Sequence, residues 1–203
     1  ENYFEALFQL GIALLNNDYY KKSNQVFKNL VDISEDKNPE NLDLYFRELS
    51  NSYAWLDDRE NEEKYLFKSL ETSKKNWGAN SGDTALILSD VGDYYLYYSE
   101  FKNAEKYLLE ALNIQKRFKD NIGMQDRGFT YASLSRLYLD MSKLDKAEKY
   151  ILKSIDIQKK LIGIKNIEYT SRLIDYANVQ NAKGLLSKEI EIYNNILDIY
   201  KQI

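Results

Sequence analysis

One segment returns along this chain at a nearly constant step. Residues 101–118 read FKNAEKYLLEALNIQKRF, residues 144–161 LDKAEKYILKSIDIQKKL and residues 59–76 RENEEKYLFKSLETSKKN. Fainter copies lie at 20–34, YKKSNQVFKNLVDIS, and at 186–203, LSKEIEIYNNILDIYKQI. Aligned on the fourth residue of the clearest copy, the equivalent anchors are Ser23, Glu62, Ala104, Ala147 and Glu189, at steps of 39, 42, 43 and 42 residues. A period of roughly 20–50 residues belongs to a solenoid or array, in which each repeat buries its apolar face only against its neighbours.

Positions can be numbered from the anchor. Position −16 holds Leu7, Phe46, Leu88, Tyr131 and Leu173, and position −13 holds Leu10, Leu49, Val91, Leu134 and Tyr176. Position −12 is small throughout: Gly11, Ser50, Gly92, Ser135 and Ala177. Position −9 holds Leu14, Tyr53, Tyr95, Tyr138 and Gln180, and position +4 holds Phe27, Leu66, Leu108, Ile151 and Tyr193. Spacings of three and four within each half predict two helices per repeat. Short polar segments split the halves: 16–18, 57–58, 99–100 and 141–143. So short a turn requires the two helices to lie antiparallel. The small residues at −12 and at the anchor then mark the closest approach of the two backbones, with Ala104 expected to face Gly92.

This pattern of large, large-small and Tyr on one helix, then small-large-small on the next, resembles the tetratricopeptide repeat. The resemblance covers repeats at about 2–35, 39–76, 81–119, 123–161 and 165–203, and it implies an all-α, right-handed α-solenoid of five helix-turn-helix repeats in one domain, 1–203. The step near 42 resembles the long-repeat subtype of kinesin light chains and many bacterial regulators. The sequence departs from the pattern at Glu62 and Glu189, where a small residue is expected, and it lacks the usual Pro that ends the second helix.

Composition excludes several functions. The net charge of −4 argues against a nucleic-acid partner, which needs a basic stripe. The chain has no cysteine, hence no disulfide, thiol nucleophile or thiolate metal site. It has no histidine, which removes the commonest general base and the commonest metal ligand. The 32 acidic residues sit largely beside lysines, as in Glu105-Lys106 and Glu148-Lys149, a solvated-face pattern rather than a catalytic pair. No enzyme, cofactor or metal function is expected. No apolar run approaches the roughly 18–20 residues that span a bilayer, so no membrane partner is expected and the expected compartment is the cytoplasm. The loop WGANSGD at 77–83 lacks the spacing, the Lys-Ser/Thr pair and the preceding strand of a phosphate cradle. Instead Ser81 or Asp83 is expected to cap the next helix, and Pro39, the only proline, to open one.

The terminal helices are apolar on more than one face. The first suggests a preceding repeat or a partner lying on Phe8, Ile12 and Leu15; the last suggests further chain or a homotypic contact. Starting at Glu1 without Met, the chain is expected to be a piece of a longer protein.

The resemblance implies that the first helix of each pair lines a concave groove. Positions −15, −11 and −7 then form the wall: Arg47, Asn51 and Trp55; Ser89, Asp93 and Tyr97; Ala132, Arg136 and Asp140; Ile174, Asn178 and Ala182. Glu48, Asp90, Ser133 and Asp175 project between them. Asn and Arg there can bind a peptide backbone and acidic side chains. Trp55 and Tyr97 either anchor an apolar side chain or pack between repeats. Chaperone-tail receptors of this family clamp two carboxylates with Lys, Asn and Arg. Here Arg47 and Asn51 fit the first step, but Asp90 stands where Asn is expected and Phe129 and Ser133 where cations are expected, so no binding of such tails is expected. The leading expectation is a non-enzymatic scaffold for a protein or peptide partner. The alternative is a sensor or regulatory arm of a caspase-like protease, a histidine kinase or a transcription regulator.

Overall fold

Four of the five turns inside the repeats hold a non-glycine residue in the left-handed region: Asp18 (φ 64°), Asp57 (56°), Ser99 (59°) and Ser142 (57°); Gly184 (73°) serves the fifth. All five stand at position −5. The residue after each donates its backbone N–H to a carbonyl five residues earlier: Tyr19 to Leu14 (2.9 Å), Asp58 to Tyr53 (3.1 Å), Glu100 to Tyr95 (2.8 Å), Lys143 to Tyr138 (2.7 Å) and Leu185 to Gln180 (3.0 Å). This Schellman-type closure satisfies the last carbonyls of one helix and reverses the chain into the next.

The structure is a computed structural model and describes every residue except 1, 36, 38 and 203. The helices are α1 (Asn2–Asn16), α2 (Tyr20–Ser34), α3 (Leu42–Ala54), α4 (Arg59–Asn76), α5 (Gly82–Tyr97), α6 (Phe101–Gln115), α7 (Asn121–Asp140), α8 (Leu144–Ile162), α9 (Ile167–Ala182) and α10 (Leu186–Tyr200). No strand occurs among the described residues. Pro39 opens a single 3-10 turn, Pro39–Asn41, that leads into α3. Ser81, not Asp83, caps α5: its Oγ accepts from Thr84 N–H at 3.1 Å. Of the apolar residues expected on the last helix, Ile203 lies outside the described residues.

The chain divides into two compact units, 1–91 and 92–203, with α5 crossing the boundary. In the first, the helices of a pair are latched where the small residues meet. Ser23 Oγ donates to the Gly11 carbonyl, and Ser50 Oγ to the Glu62 carbonyl, each at 2.8 Å. A Cβ on Gly11 would lie 2.6 Å from the Phe27 ring, so only glycine permits that approach. The core gathers Phe27, Leu30, Val31, Tyr45, Phe46 and Leu49 from α2 and α3, with Phe8 and Ile12 packed against it. That corrects one expectation. Phe8 lies edge-on to Phe27 at 6.1 Å and near Tyr45 at 5.8 Å, so it serves the core; the large apolar residues exposed on α1 are Tyr3 and Leu10.

The second unit repeats the latch: Ser135 Oγ donates to the Ala147 carbonyl at 2.8 Å and Ser154 Oγ to the Gly128 carbonyl at 2.7 Å. Gly92 repeats the close approach seen at Gly11. A Cβ there would lie 2.5 Å from Leu108 Cγ, so Leu108 fills the space over Gly92 as Phe27 does over Gly11, both at position +4. One core gathers Ala104, Leu108, Leu112, Tyr131, Leu134, Leu137, Tyr138, Ala147 and Ile151, among others. Another joins Tyr169, Leu173 and Ala177 of α9 to Ile192, Ile196 and Ile199 of α10.

The EKY motif within the repeated segment explains the Tyr at −9. In three repeats the two tyrosines stack: Tyr53 on Tyr65 (5.6 Å, 5°), Tyr95 on Tyr107 (5.6 Å, 10°) and Tyr138 on Tyr150 (5.5 Å, 14°). Such pairs add to area burial by about 0.5–1.5 kcal/mol each.

Candidate functional site

The first helices carry the candidate residues, and each unit is considered alone. In the first unit Arg47 on α3 donates from Nε to Asp90 Oδ2 on α5 at 2.5 Å and lies 3.4 Å from Glu48 Oε1. Asn51 Nδ2 reaches Glu48 Oε2 at 3.4 Å. The structure thus brings Arg47, Asn51 and Asp90 together, with the cation held by two carboxylates. Glu48 does not project as expected but is buried, and that burial raises its pKa above the ordinary value against the opposing pull of Arg47 and Asn51. Trp55 stacks flat on Tyr20 of α2, with ring centroids 4.9 Å apart and planes at 2°, and its other face leaves it 58% exposed.

In the second unit Asp93 is half-buried, whereas Tyr97 is exposed and meets Tyr98 edge-on at 5.0 Å. Phe129 on α7 remains exposed and carries Arg172 of α9 over its ring, at 5.3 Å. Arg172 Nη1 also reaches Asp175 Oδ2 at 3.5 Å, and its Nε is buried without a hydrogen-bond partner. Burial lowers its pKa; Asp175 opposes this and Arg136, whose like charge acts on it, adds to it. Arg136 and Asn178 are exposed. Phe129 and Arg136 stand seven residues apart on α7, the spacing of one helix face, and Phe129 is joined to Arg172, a residue the wall positions leave out.

Its position explains both the omission and the burial. Arg172 stands at −17, where Tyr45, Ile87 and Thr130 are all buried in their repeats. A cation at a core position is itself a sequence signal, since Arg is almost never fully buried unless paired. Two wall residues, Ser89 and Ala132, fail outright because they are buried, and Ser133, expected to project between them, is buried as well. Small side chains at −15 and −14 let α7 close against its neighbours, α9 among them, so those places form helix contact rather than wall.

The second unit also holds a polar joint between repeats. Glu148 of α8 accepts from Lys183 Nζ (2.6 Å), Gln180 Nε2 (3.0 Å) and Tyr176 Oη (3.2 Å) of α9 and its C-cap. These donors, led by Lys183, hold its carboxyl below the ordinary range. The Tyr138 hydroxyl donates to Glu105 Oε1 at 2.6 Å, and its burial, reinforced by Glu105, raises its pKa.

Among known families, the tetratricopeptide repeat model matches residues 130–161, which cover most of α7 and α8. Residues 130–161 match a tetratricopeptide repeat. Solved structures extend the likeness over the whole chain as an all-α solenoid fold. BtubC (BKLC) from P. vanneervenii superposes with a TM-score of 0.82 at 18% identity, over 98% of this chain and 80% of that one. The nearly identical TPR-like kinesin light chain repeats of Podosopora anserina give a TM-score of 0.79 at 13% identity, over 98% and 94%. The quorum sensor NprR from B. thuringiensis gives 0.72 at 15% identity, over 97% of this chain and 53% of that one. A search of curated proteins found no match. At these identities the tetratricopeptide likeness establishes the fold alone. No described helix is long and apolar enough to cross a membrane.

Proposed function

We propose that the chain is a non-enzymatic, cytoplasmic interaction scaffold that captures an extended peptide or a helix of a partner protein on its first helices. One observation carries this reading: on α7 and α9 an exposed Phe129 lies under Arg172, and exposed Arg136 stands two turns further along α7. An aromatic ring and arginines at one surface are the groups that dominate binding energy at interfaces. Exposed Arg136 favours an acidic side chain next to an apolar one, and Asn178 on the same helix as Arg172 supplies backbone hydrogen bonding. The first unit contributes less, because Arg47 is already neutralised by Asp90 and Glu48.

The test is selection from a displayed peptide library, followed by titration of the enriched peptides. Enrichment of an acidic residue beside an apolar one is expected, with Arg136→Glu weakening the selected peptide by at least about tenfold, or roughly 1.4 kcal/mol. Selected peptides indifferent to Arg136→Glu, Asn178→Ala and Phe129→Ala would remove the site from this surface.

A second reading, the sensor or regulatory arm of a larger protein, is favoured by the superposition on about half of the quorum sensor NprR. It predicts that a flanking catalytic or DNA-binding domain accompanies these repeats in the full gene product.

A further inference from the structure

Helices α7 and α8 flank an open cleft of about 420 Å³ that none of the wall positions lines. Met124, Tyr131, Leu152 and Ile157 give it apolar sides, and Arg127 and Lys153 give it charge. Arg127 and Arg136 stand nine residues apart on α7, which is two and a half helical turns. The cleft therefore lies on the opposite face of α7 from the surface proposed above.

Both cations are held in place and lack a counter-charge. Arg127 Nη1 donates to the carbonyls of Gln115 (3.1 Å) and Phe118 (3.0 Å), at and just beyond the end of α6. Its Nε and Nη2 donors are the pair that a carboxylate takes side-on. Lys153 Nζ lies over the rings of Tyr131 (5.3 Å) and Tyr150 (5.6 Å). Among the described residues neither cation forms an ion pair. Burial lowers the Lys153 pKa, and the like charges of Lys149 and Lys116 lower it further. Asp156, the carboxylate of the cleft, is taken by Lys160 at 2.6 Å. A protein of net charge −4 thus gathers uncompensated positive charge at one place.

The repeat itself does not require these cations. Position −20 holds Tyr3, Leu42, Thr84, Arg127 and Tyr169, so arginine stands there once. Position +6 holds Asn29, Lys68, Glu110, Lys153 and Asn195. Lys68 copies the ring contact, over Phe46 at 5.0 Å and Tyr65 at 5.6 Å, but Glu35 neutralises it at 3.3 Å. The pair of cations is confined to one repeat. An extended peptide crossing several repeats would find no second copy of it, whereas a ligand of one-repeat size needs none. A cleft of this volume, with largely apolar sides and a few polar groups, suits a small molecule.

We infer that the cleft binds a small organic anion, an apolar or aromatic body carrying a carboxylate or comparable oxyanion. The oxyanion sits on Arg127 and Lys153, and the body lies against Met124, Leu152 and Ile157. A guanidinium fixed beforehand by two carbonyls loses little freedom when the ligand arrives.

The experiment is calorimetric titration of the 203-residue chain with naphthoate, with its neutral analogue naphthalenemethanol and with acetate. Naphthoate is expected to bind at least about tenfold more tightly than naphthalenemethanol, which lacks the charge, or acetate, which lacks the body. Lys153→Gln changes an exposed side chain, and Arg127→Lys keeps the charge but loses the fork. Each should weaken naphthoate by at least about fivefold, with circular dichroism checking the fold. Arg136→Gln, on the opposite face, should leave naphthoate binding unchanged, so this test and the peptide selection stand or fall separately. Equal binding of naphthoate and naphthalenemethanol overturns the inference, as does naphthoate binding that survives both Arg127→Lys and Lys153→Gln. Absence of naphthoate binding also overturns it. If an acidic, leucine-bearing peptide then binds and both variants abolish that binding, the cleft belongs to a partner protein instead.

Discussion

Arg47 and Asp90 lie 43 residues apart in sequence and are joined side chain to side chain at 2.5 Å, one repeat bridging to the next. The aspartate that would repel a peptide carboxylate is also the group that occupies the arginine. Peptides ending in the chaperone EEVD sequence should therefore show no micromolar binding by fluorescence titration, and Asp90→Asn should not restore it while Glu48 remains against Arg47. Both partners are partly exposed, so Asp90→Asn should cost no more than about 1 kcal/mol of stability.

Two glutamates should titrate in opposite senses. The folded pKa of Glu48 is raised from 4.5, mainly by burial, so the folded state binds its proton more readily than the unfolded state does. As pH falls from neutral through that raised value, Glu48 should favour the fold. Glu148 is lowered from 4.5 by Lys183, Gln180 and Tyr176. Its contribution is complete above 4.5 and is lost as pH falls through its folded value. Denaturant melts of wild type, Glu48→Gln and Glu148→Gln at a series of pH values check this. Relative to wild type, the Glu148→Gln deficit, about 1–2 kcal/mol at neutral pH, should shrink on acidification. The wild type should instead gain on Glu48→Gln on acidification.

Gly92 and Gly82 form a matched pair on α5. A Cβ at Gly92 meets Leu108 at 2.5 Å, whereas one at Gly82 meets nothing within 4 Å. Gly92→Ala should cost about 1–3 kcal/mol through overpacking, as should Ala104→Leu at the fully buried anchor. Gly82→Ala should gain about 0.4–1 kcal/mol by restricting the unfolded chain. Thermal melts of the three variants decide it, and a neutral Gly92→Ala would mean that Leu108 can move aside.

Ser142 holds φ 57°, a conformation that glycine adopts without a Cβ penalty. Ser142→Gly should raise stability by about 1 kcal/mol, the left-handed cost less glycine's added entropy. The same change at Gly163, reversed to Ala, should lose stability although nothing lies within 4 Å, because its φ is +77°.

The repeat register is legible because the small and large positions recur at helical spacing, and four of the five turns inside the repeats fall where polar segments interrupt it. Contacts between repeats were less so. Which side chain of one pair meets which of the next depends on the rotation between pairs, and that is not encoded at a fixed offset. Glu105 is met by a residue at −9, while Glu148 is met at −13, −9 and −6. Spacing alone does not decide between groove and packing for Trp55, which stacks on Tyr20, a partner outside its own repeat. The tyrosine at +3 passed unread beside lysine, although it completes the stack begun at −9. The resemblance puts Ser89 and Ala132 on the wall, and an offset from the anchor cannot show that both are buried.

The left-handed turns at position −5 give each helix pair a closure of its own, made within a few residues of chain. Stability in such a chain is a sum of pairs and of the joints between neighbours. Held at its ends and pulled, the protein should lengthen in steps of one helix pair. The pair with the weakest joints should give way first, and each released pair should re-form when the tension falls, because its turn needs nothing from distant sequence.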